Sequence, residues 1–184
     1  MKAPRATGLS LVEVLVVLVV LGIILAVAAP SFLDLVNRRR VQAVAAELST
    51  NLAYARSETG LRPTNMVVQF GSNASMSCYT VAIESVIGGC NCTKDIGSAC
   101  SGRFREVKTV QIPTNTGVEL TADAQWPQKP NVLVFESPQM TASPSDVVIT
   151  VKGYHNLALQ VKLNRMGRIS VCAPDDSMSG VARC

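Results

Sequence analysis

The sequence predicts an α+β fold in which one long N-terminal helix packs on an antiparallel β-sheet or a small β-sandwich. Three observations carry this prediction: an apolar run from Leu9 to Ala29, a helical repeat of apolar residues that continues to about Thr59, and short strand-like segments after Gly60. The 184 residues are 48% hydrophobic and 16% charged, whereas globular proteins average about 25% charged residues. The apolar excess belongs to the first segment, and the remainder is long enough to bury its own core. This composition excludes a disordered chain and a multi-span membrane protein.

The apolar run from Leu9 to Ala29 is long enough to cross a membrane. At a helical rise of about 1.5 Å, its roughly 21 residues would extend about 31 Å, which matches the hydrocarbon core of a bilayer at about 30 Å. Lys2 and Arg5 precede the run. We therefore expect this end in the cytoplasm and the rest of the chain on the other side of the membrane.

Two interpretations of this segment compete, and Glu13 separates them. An ordinary secretory signal peptide would use the basic residues of the leader and an A-x-A cleavage site at residues 26–28. A carboxylate costs about 2.5 kcal/mol or more at the centre of a bilayer, so a segment needed only for export gains nothing from it. Cleavage after Gly8 would instead leave an ammonium group on Leu9, and that charge on a neighbouring subunit can pair with Glu13.

The same residues resemble a known family. Gly8-Leu9-Ser10-Leu11-Val12-Glu13, followed by the apolar stretch, is similar to the class III leader of type IV pilins and type II secretion pseudopilins. The resemblance implies that a prepilin peptidase cleaves after Gly8, that the new terminus at Leu9 is N-methylated, and that Glu13 guides filament assembly. Leu9 stands where the family usually has Phe, which keeps the position apolar. Pro30 stands where these proteins often have a proline that distorts the helix.

Beyond Pro30 the sequence predicts an amphipathic continuation of the helix, with Pro30 as its bend. Apolar residues recur at helical spacing with polar residues between them: Val41, Val44, Ala45, Leu48, Leu52 and Ala55. Gly60 and Pro63 then end the helix. The run Arg38-Arg39-Arg40 is interpreted as a solvated collar rather than as a site for lipid phosphates or an adjacent subunit.

Eight segments after Gly60 are strand-like, and turn-forming residues separate them. They are Asn65 to Phe70, Cys78 to Ser85, Arg105 to Ile112, Gly117 to Leu120, Val132 to Glu136, Val147 to Val151, Leu157 to Leu163 and Arg168 to Cys172. Short strands of this kind predict an antiparallel sheet or small sandwich on the second half of the helix.

Six cysteines in the exported part of a small domain predict an oxidising compartment and up to three disulfides. They are Cys78, Cys90, Cys92, Cys100, Cys172 and Cys184. Cys90 and Cys92 are too close in sequence to bond each other without strain, so each is expected to pair with Cys78 or Cys100, in either order. Cys172 and Cys184 form the third expected pair. A zinc site at the first four is the alternative, which an oxidising compartment disfavours.

The helix end at residues 53–58 and the pair Gly167-Arg168 are similar to the GspH/FimT group of minor pilins and pseudopilins. In the FimT branch of that group, a Gly-Arg-x-Arg motif contributes to DNA capture during natural transformation. Ser170 occupies the second arginine position here, and Arg165 and Arg183 are the candidates to replace it, because phosphate contacts depend mainly on charge. A formal charge of +4 and 4% aromatic residues favour solvated arginines instead.

These observations divide the chain into four expected parts: a leader at 1–8, a transmembrane or filament-core helix at 9–29, its amphipathic continuation at 30–60, and a periplasmic β-rich domain at 61–184. His155 is the single histidine and is interpreted as structural, and no catalytic motif occurs. We therefore expect no enzymatic activity, cofactor or metal.

The predicted function is assembly of a minor pilin or pseudopilin into a type IV pilus or a type II secretion pseudopilus, as a structural, initiating or tip subunit. Before assembly we expect a single-pass protein of the bacterial inner membrane. The expected partners are other pilins or pseudopilins, the prepilin peptidase and membrane lipid, with DNA as the second choice. The alternatives are a DNA-binding minor pilin and a secreted disulfide-rich binding domain with an ordinary signal peptide.

Overall fold

The computed structural model describes residues 10–84, 88–126, 129–176 and 178–184. Within them, one long helix is followed by a series of short strands. The helix is α1 (Leu11–Leu61). The strands are β1 (Met66–Ser72), β2 (Met76–Ile83), β3 (Gly88–Cys90), β4 (Cys100–Gly102), β5 (Arg105–Pro113), β6 (Glu119–Asp123), β7 (Gln125–Trp126), β8 (Lys129–Pro130), β9 (Val132–Glu136), β10 (Thr141–Ser143), β11 (Val147–Lys152), β12 (Ala158–Leu163) and β13 (Ile169–Cys172). Two short 3₁₀ helices lie at Thr114–Thr116 and Tyr154–Asn156.

All the strand pairs within the sheets are antiparallel. A five-stranded sheet has the order β10-β9-β1-β2-β5, and a four-stranded sheet has the order β13-β12-β11-β6. Two small ribbons, β3-β4 and β7-β8, complete the strands of the described residues. Each of the eight predicted strands overlaps an observed strand, so the α+β fold predicted from the sequence is confirmed.

Contacts divide the chain into a first unit that ends at Val36 and a second unit, Asn37–Cys184. The large apolar side chains at residues 11–25 and 32–35 are exposed, from 46% at Val14 to 78% at Leu11. Among the helical residues that the structure describes, no stretch is long and apolar enough to cross a membrane. The transmembrane segment expected at 9–29 begins outside the described residues and stays a prediction, as does the bend at Pro30, which lies within α1.

One face of α1 forms the centre of the core of the second unit. Its buried residues recur at helical spacing and are those expected from the sequence: Val41, Ala45, Leu48, Leu52 and Ala55. They share a single cluster with apolar residues of both large sheets, including Phe135 of β9 and Leu159 of β12. The sheets therefore cover mainly one face of the helix, and its exposed polar residues lie on the other faces, whereas Asn37, Asn51 and Thr59 are buried.

The five-stranded sheet is buried on both of its faces. Along β1, alternate residues Met66, Val68 and Phe70 belong to the main core, as the two-residue period of a strand requires. Val67, on the opposite face, belongs to a second cluster with Val132 and Val134, and Phe104 packs against it. The residues that cover this outer face come from the cysteine-rich segment between β2 and β5.

Five strands were not predicted from the sequence: β3, β4, β7, β8 and β10. Each has only two or three residues, and glycine, cysteine or proline occupies several of their positions. Segments this short carry no alternating apolar pattern. Their strand conformation comes from pairing with a neighbour that only the folded chain provides.

The core contact of α1 makes a prediction about stability. We expect Leu48→Ala to lower the free energy of unfolding by about 2 to 5 kcal/mol, because it deletes a fully buried side chain and leaves a cavity between the helix and the sheets. Denaturant unfolding of the full chain in detergent measures the change. The matched control is Leu61→Ala, at an 80% exposed leucine at the end of the same helix, which should change stability by less than about 0.5 kcal/mol. Equal losses in the two variants would contradict the assigned core.

Candidate functional site

The start of α1 holds the residue expected to guide assembly. Gly8 and Leu9, the expected cleavage and methylation sites, lie outside the described residues. Glu13 lies in the first turn of the helix and is exposed. Its backbone N–H donates a hydrogen bond to Ser10 Oγ at 3.2 Å, and the N–H of Val14 donates to the Ser10 carbonyl at 3.3 Å. Ser10 is therefore the N-cap of α1.

The role of Ser10 as an N-cap was not predicted from the sequence. Ser10-Leu11-Val12-Glu13 has the spacing of a capping box, which could have revealed it. The cap uses the backbone N–H of Glu13 and leaves its carboxylate out of that bond. An acidic side chain is also favoured in the first turn, because the helix dipole places partial positive charge there.

At the start of the second unit, Asn37 joins α1 to the 3₁₀ turn at Tyr154–Asn156. The buried Asn37 side chain donates to the Tyr154 carbonyl at 3.0 Å and accepts from the Tyr154 N–H at 3.3 Å. Arg38 donates to Ser179 Oγ at 3.2 Å, and Arg40 donates to the Thr116 carbonyl at 3.1 Å. Arg38 and Arg40 therefore form hydrogen bonds with loops of this unit. The interpretation of the three arginines as a solvated collar did not predict these bonds.

Three disulfides join the six cysteines: Cys78–Cys92, Cys90–Cys100 and Cys172–Cys184. The sequence left open whether Cys78 pairs with Cys90 or with Cys92, and the structure has the second arrangement. Cys90 and Cys100 lie opposite each other in the β3-β4 ribbon. No group of three or more potential metal ligands occurs within the described ranges.

The Cys78–Cys92 disulfide fastens residues 88–104 to the outer face of the five-stranded sheet, and we call this segment the insert. Two glutamine side chains of that face hold its backbone. Gln69 of β1 accepts a hydrogen bond from the Cys90 N–H at 3.1 Å. Gln111 of β5 donates to the carbonyls of Cys92 and Lys94 at 2.8 and 2.7 Å.

A β-bulge in β5 supplies a third attachment of the insert. The register between β2 and β5 shifts so that Val107 has no partner, which turns Glu106 to the same face as Thr109. Glu106 then accepts a hydrogen bond from Thr109 Oγ1 at 2.6 Å. It also accepts bonds from the backbone N–H groups of Gly97 and Ala99, both at 2.9 Å.

These bonds set the protonation of Glu106. Desolvation is the largest single influence and raises the pKa of the Glu106 carboxyl. The three hydrogen bonds from Thr109, Gly97 and Ala99 lower this pKa, and their combined effect exceeds that of desolvation. The pKa therefore lies below the ordinary glutamate value, and the charged form holds the insert.

A chain of polar groups links α1 to the five-stranded sheet inside the second unit. Asn51 donates to the hydroxyl oxygen of the buried Tyr79 at 2.7 Å. Lys108 of β5 donates to Asn51 Oδ1 at 3.2 Å and pairs with Glu47 at 3.1 Å. Burial raises the pKa of Tyr79 far above its ordinary value, the bond from Asn51 opposes this, and the charge of Glu47 adds to it. The phenol therefore stays neutral and serves a structural role.

Arg168 lies in a surface cavity of about 430 Å³ together with Arg56 of α1. A turn at residues 164–168 places it there: Asn164 Oδ1 accepts from the Arg168 N–H, and the Asn164 carbonyl accepts from the Gly167 N–H, both at 2.9 Å. Gly167 has φ +70, and a Cβ there would lie 2.7 Å from Arg56 Nε and 2.8 Å from the Met140 carbonyl. A glycine is therefore required before Arg168 for both steric and conformational reasons.

Two of the three arginines proposed as a DNA contact, Arg165 and Arg168, share the turn at residues 164–168, whereas Arg183 lies apart from them. Arg165 lines a different cavity, which also contains Glu136. Arg183 pairs with Ala173 in a β-bridge, beyond the end of β13, and forms an ion pair with Asp176 at 3.6 Å. Arg168 precedes β13, so about 16 Å of strand separates it from this bridge. Arg56, which the sequence did not single out as a contact, lies beside Arg168 instead.

Three comparisons relate the chain to known proteins. Residues 4–29 match the family described as the prokaryotic N-terminal methylation motif. The chain is 31% identical over 117 residues to the type IV narrow pilus major component PilA5 of Thermus thermophilus, which covers 60% of this chain and 99% of that protein. The fold of this chain is similar to that of the minor pseudopilin EpsH from the type 2 secretion system of Vibrio cholerae, with a TM-score of 0.50 and 12% identity. The match covers 74% of this chain and 98% of the EpsH chain.

The carboxylate of Glu106 makes stability depend on pH. Its lowered folded pKa contributes stability that is complete above the ordinary value of 4.5 and is lost as the pH falls through the folded pKa. We expect Glu106→Gln to unfold more easily than the native chain at about pH 7, with a difference that shrinks towards about pH 3. Denaturant midpoints across this range test the prediction. Glu119→Gln, at an exposed carboxylate of β6, is the control and should not reproduce the pattern; a Glu106→Gln difference independent of pH would contradict the role of the charge.

Proposed function

Because the chain belongs to the type IV pilin family, we propose that it acts by assembly, as a minor subunit of a filament of the type IV pilus or type II secretion class. The observation that carries the proposal is Glu13, a carboxylate in the first turn of a helix whose large apolar side chains are exposed. Apolar surface of this extent marks an interface with other apolar elements. The N-terminal part of α1 is therefore the proposed assembly element.

The proposed pairing is between Glu13 and the N-terminus of a neighbouring subunit. Cleavage by the prepilin peptidase after Gly8 leaves an ammonium group on Leu9. The carboxylate of Glu13 is not used by the cap of its own helix, which takes only its N–H. A neighbour displaced along the helix axis brings its ammonium group to this carboxylate, and each charge neutralises the other in an apolar surrounding.

Before assembly, the proposed location is the bacterial inner membrane, with residues 9–29 spanning the bilayer and the disulfide-bonded unit in the periplasm. Membership of the family supports a membrane-anchored filament component and processing by the prepilin peptidase. The three disulfides support an oxidising compartment for the second unit. The N-terminal methylation motif supports a prepilin leader over an ordinary signal peptide.

Of the two filament classes, we favour the pilus. The protein with 31% identity is a pilus component, whereas the likeness to EpsH, at 12% identity, concerns the fold alone. We also propose a place in the GspH/FimT group. Its support is that Arg56 from the helix end and Gly167-Arg168, the two features of that resemblance, contribute to the same cavity.

Binding of DNA is the second candidate function, and the arrangement of arginines counts against it. Affinity for nucleic acid grows with the number of phosphates contacted by basic side chains. Arg168 is separated from Arg183 by the length of β13, and the cavity of Arg165 also holds the carboxylate of Glu136. Arg183 therefore lies apart from the other two candidate arginines, and an acid shares the cavity of Arg165.

Processing and assembly are tested together. We expect mass spectrometry of the mature chain to find N-methylated Leu9; a terminus at Ala29 would establish the ordinary signal peptide instead. Glu13→Ala should remain in the membrane but fail to enter filaments, because the neighbour's ammonium group loses its partner. Ser10→Ala is the matched control, since it weakens the helix by about 1 kcal/mol through loss of the cap yet keeps the carboxylate. Filament preparations that contain Glu13→Ala at the native level would refute the assigned role.

The DNA alternative is tested with a salt series. If DNA is a ligand, the double variant Arg165→Gln, Arg168→Gln should bind double-stranded DNA less tightly than the native chain, with a shallower dependence of affinity on salt. We expect no such difference. Lys152→Gln, at an exposed lysine at the far end of β11 from this turn, is the control for loss of one charge elsewhere, and fluorescence anisotropy with labelled DNA measures all three proteins. A reproducible decrease in the salt slope confined to the double variant would restore the DNA function.

A further inference from the structure

The cavity that contains Arg56 and Arg168 is built by contacts from three parts of the second unit. The last turns of α1 contribute Arg56, the segment before β10 contributes Met140, and the hairpin between β12 and β13 contributes Gly167 and Arg168. Arg56 Nε donates a hydrogen bond to the Met140 carbonyl at 3.4 Å. Both atoms lie where a side chain at position 167 would begin, so the bond requires glycine there. The side chain of Met140 in turn packs against Gly60 of α1. The floor of the cavity is therefore held by the fold.

The lining of this cavity carries positive charge without a compensating acid. No carboxylate is among the lining residues that the structure describes. In the described part of the chain, the guanidinium of Arg168 has no hydrogen-bond or ion-pair partner, and Arg56 uses one of its five N–H donors. Planar guanidinium groups bind carboxylates through two parallel hydrogen bonds. Arginine and methionine together are also typical of protein interfaces.

We propose that this cavity, which we call the Arg56/Arg168 cavity, receives an acidic segment of another subunit in the filament: an Asp or Glu side chain, or a C-terminal carboxylate. This inference rests on the proposed function and names a partner for it. The carboxylate binds the guanidinium groups, and the apolar part of the segment contacts Met140 and Ile169. The contact lies near the C-terminal end of α1, at a site distinct from Glu13, and would fix how adjacent globular units meet.

The composition of the cavity favours a protein segment over DNA. Three of its described lining side chains, Ala53, Met140 and Ile169, are apolar. None of the described lining residues is aromatic, so no side chain is present there on which a base could stack. Two arginines suffice for one carboxylate, whereas DNA binding requires a longer series of phosphate contacts.

The experiment places a photo-crosslinking amino acid at Ser57, an exposed residue of the cavity rim, in the full-length chain within assembled filaments. Mass spectrometry then identifies the crosslinked peptide. We expect an adduct with an Asp- or Glu-containing, or C-terminal, segment of another filament subunit. Arg168→Glu should reduce its yield about tenfold, because a repulsion replaces an attraction. Arg168→Lys should restore a large part of the yield, and Arg183→Glu, at the other end of β13, should leave it unchanged.

Three outcomes would overturn the inference: an adduct with a segment that has no carboxylate, an adduct with DNA, or a yield unaffected by Arg168→Glu. The guanidinium of Arg168 has no partner among the described residues, so its replacement leaves the fold of the unit intact, which circular dichroism checks. Glu13→Ala is assayed in parallel. If Arg168→Glu crosslinks as the native chain does while Glu13→Ala is excluded from filaments, the inference fails and the proposed function stands; if Glu13→Ala also enters filaments normally, the proposed function fails.

Discussion

Burial of one face of α1 is the contact on which the rest of the second unit depends. Both large sheets share one apolar cluster with this face, so the helix provides the surface on which they pack. The burial begins near Val41 and continues to Ala55. At residues 11–25 and 32–35 the same helix exposes its large apolar side chains. One continuous helix therefore supplies both the centre of a core and an exposed apolar surface, and this division is the physical basis of the proposed assembly.

The outer face of the five-stranded sheet is stabilised in a different way. Its apolar cluster is small, with Val67, Val132 and Val134 as the buried members. The Cys78–Cys92 disulfide, two glutamine side chains and Glu106 hold the insert against this face, and the Cys90–Cys100 disulfide cross-links the insert internally. Because so little apolar surface is buried there, cross-links and hydrogen bonds replace hydrophobic packing. The charge of Glu106 makes this attachment sensitive to acid, whereas the main core contains no comparable carboxylate among its buried residues.

Electrostatic features lie at two separate places in the chain. Glu13 offers a negative charge at the start of α1, and the Arg56/Arg168 cavity offers positive charge at its other end. Among the described residues, neither Glu13 nor the two arginines of the cavity form an ion pair. Pairing between subunits through such groups gives direction and register to association more than raw affinity, while the apolar helix surface provides most of the favourable free energy. This combination suits a filament, in which every subunit must meet its neighbours in one orientation.

Features that depend on local pattern could be predicted from the amino-acid sequence alone. The buried face of α1 follows from the helical period, eight strands follow from short apolar runs between turn residues, and Glu13 is conspicuous as an acid in an apolar run. The pairing of Cys78 with Cys92, the bulge that turns Glu106 outward and the meeting of Arg56 with Arg168 are visible only in the folded chain. These features depend on register and on contacts between segments far apart in the chain, and no local periodicity encodes which distant backbone or side chain will complete them.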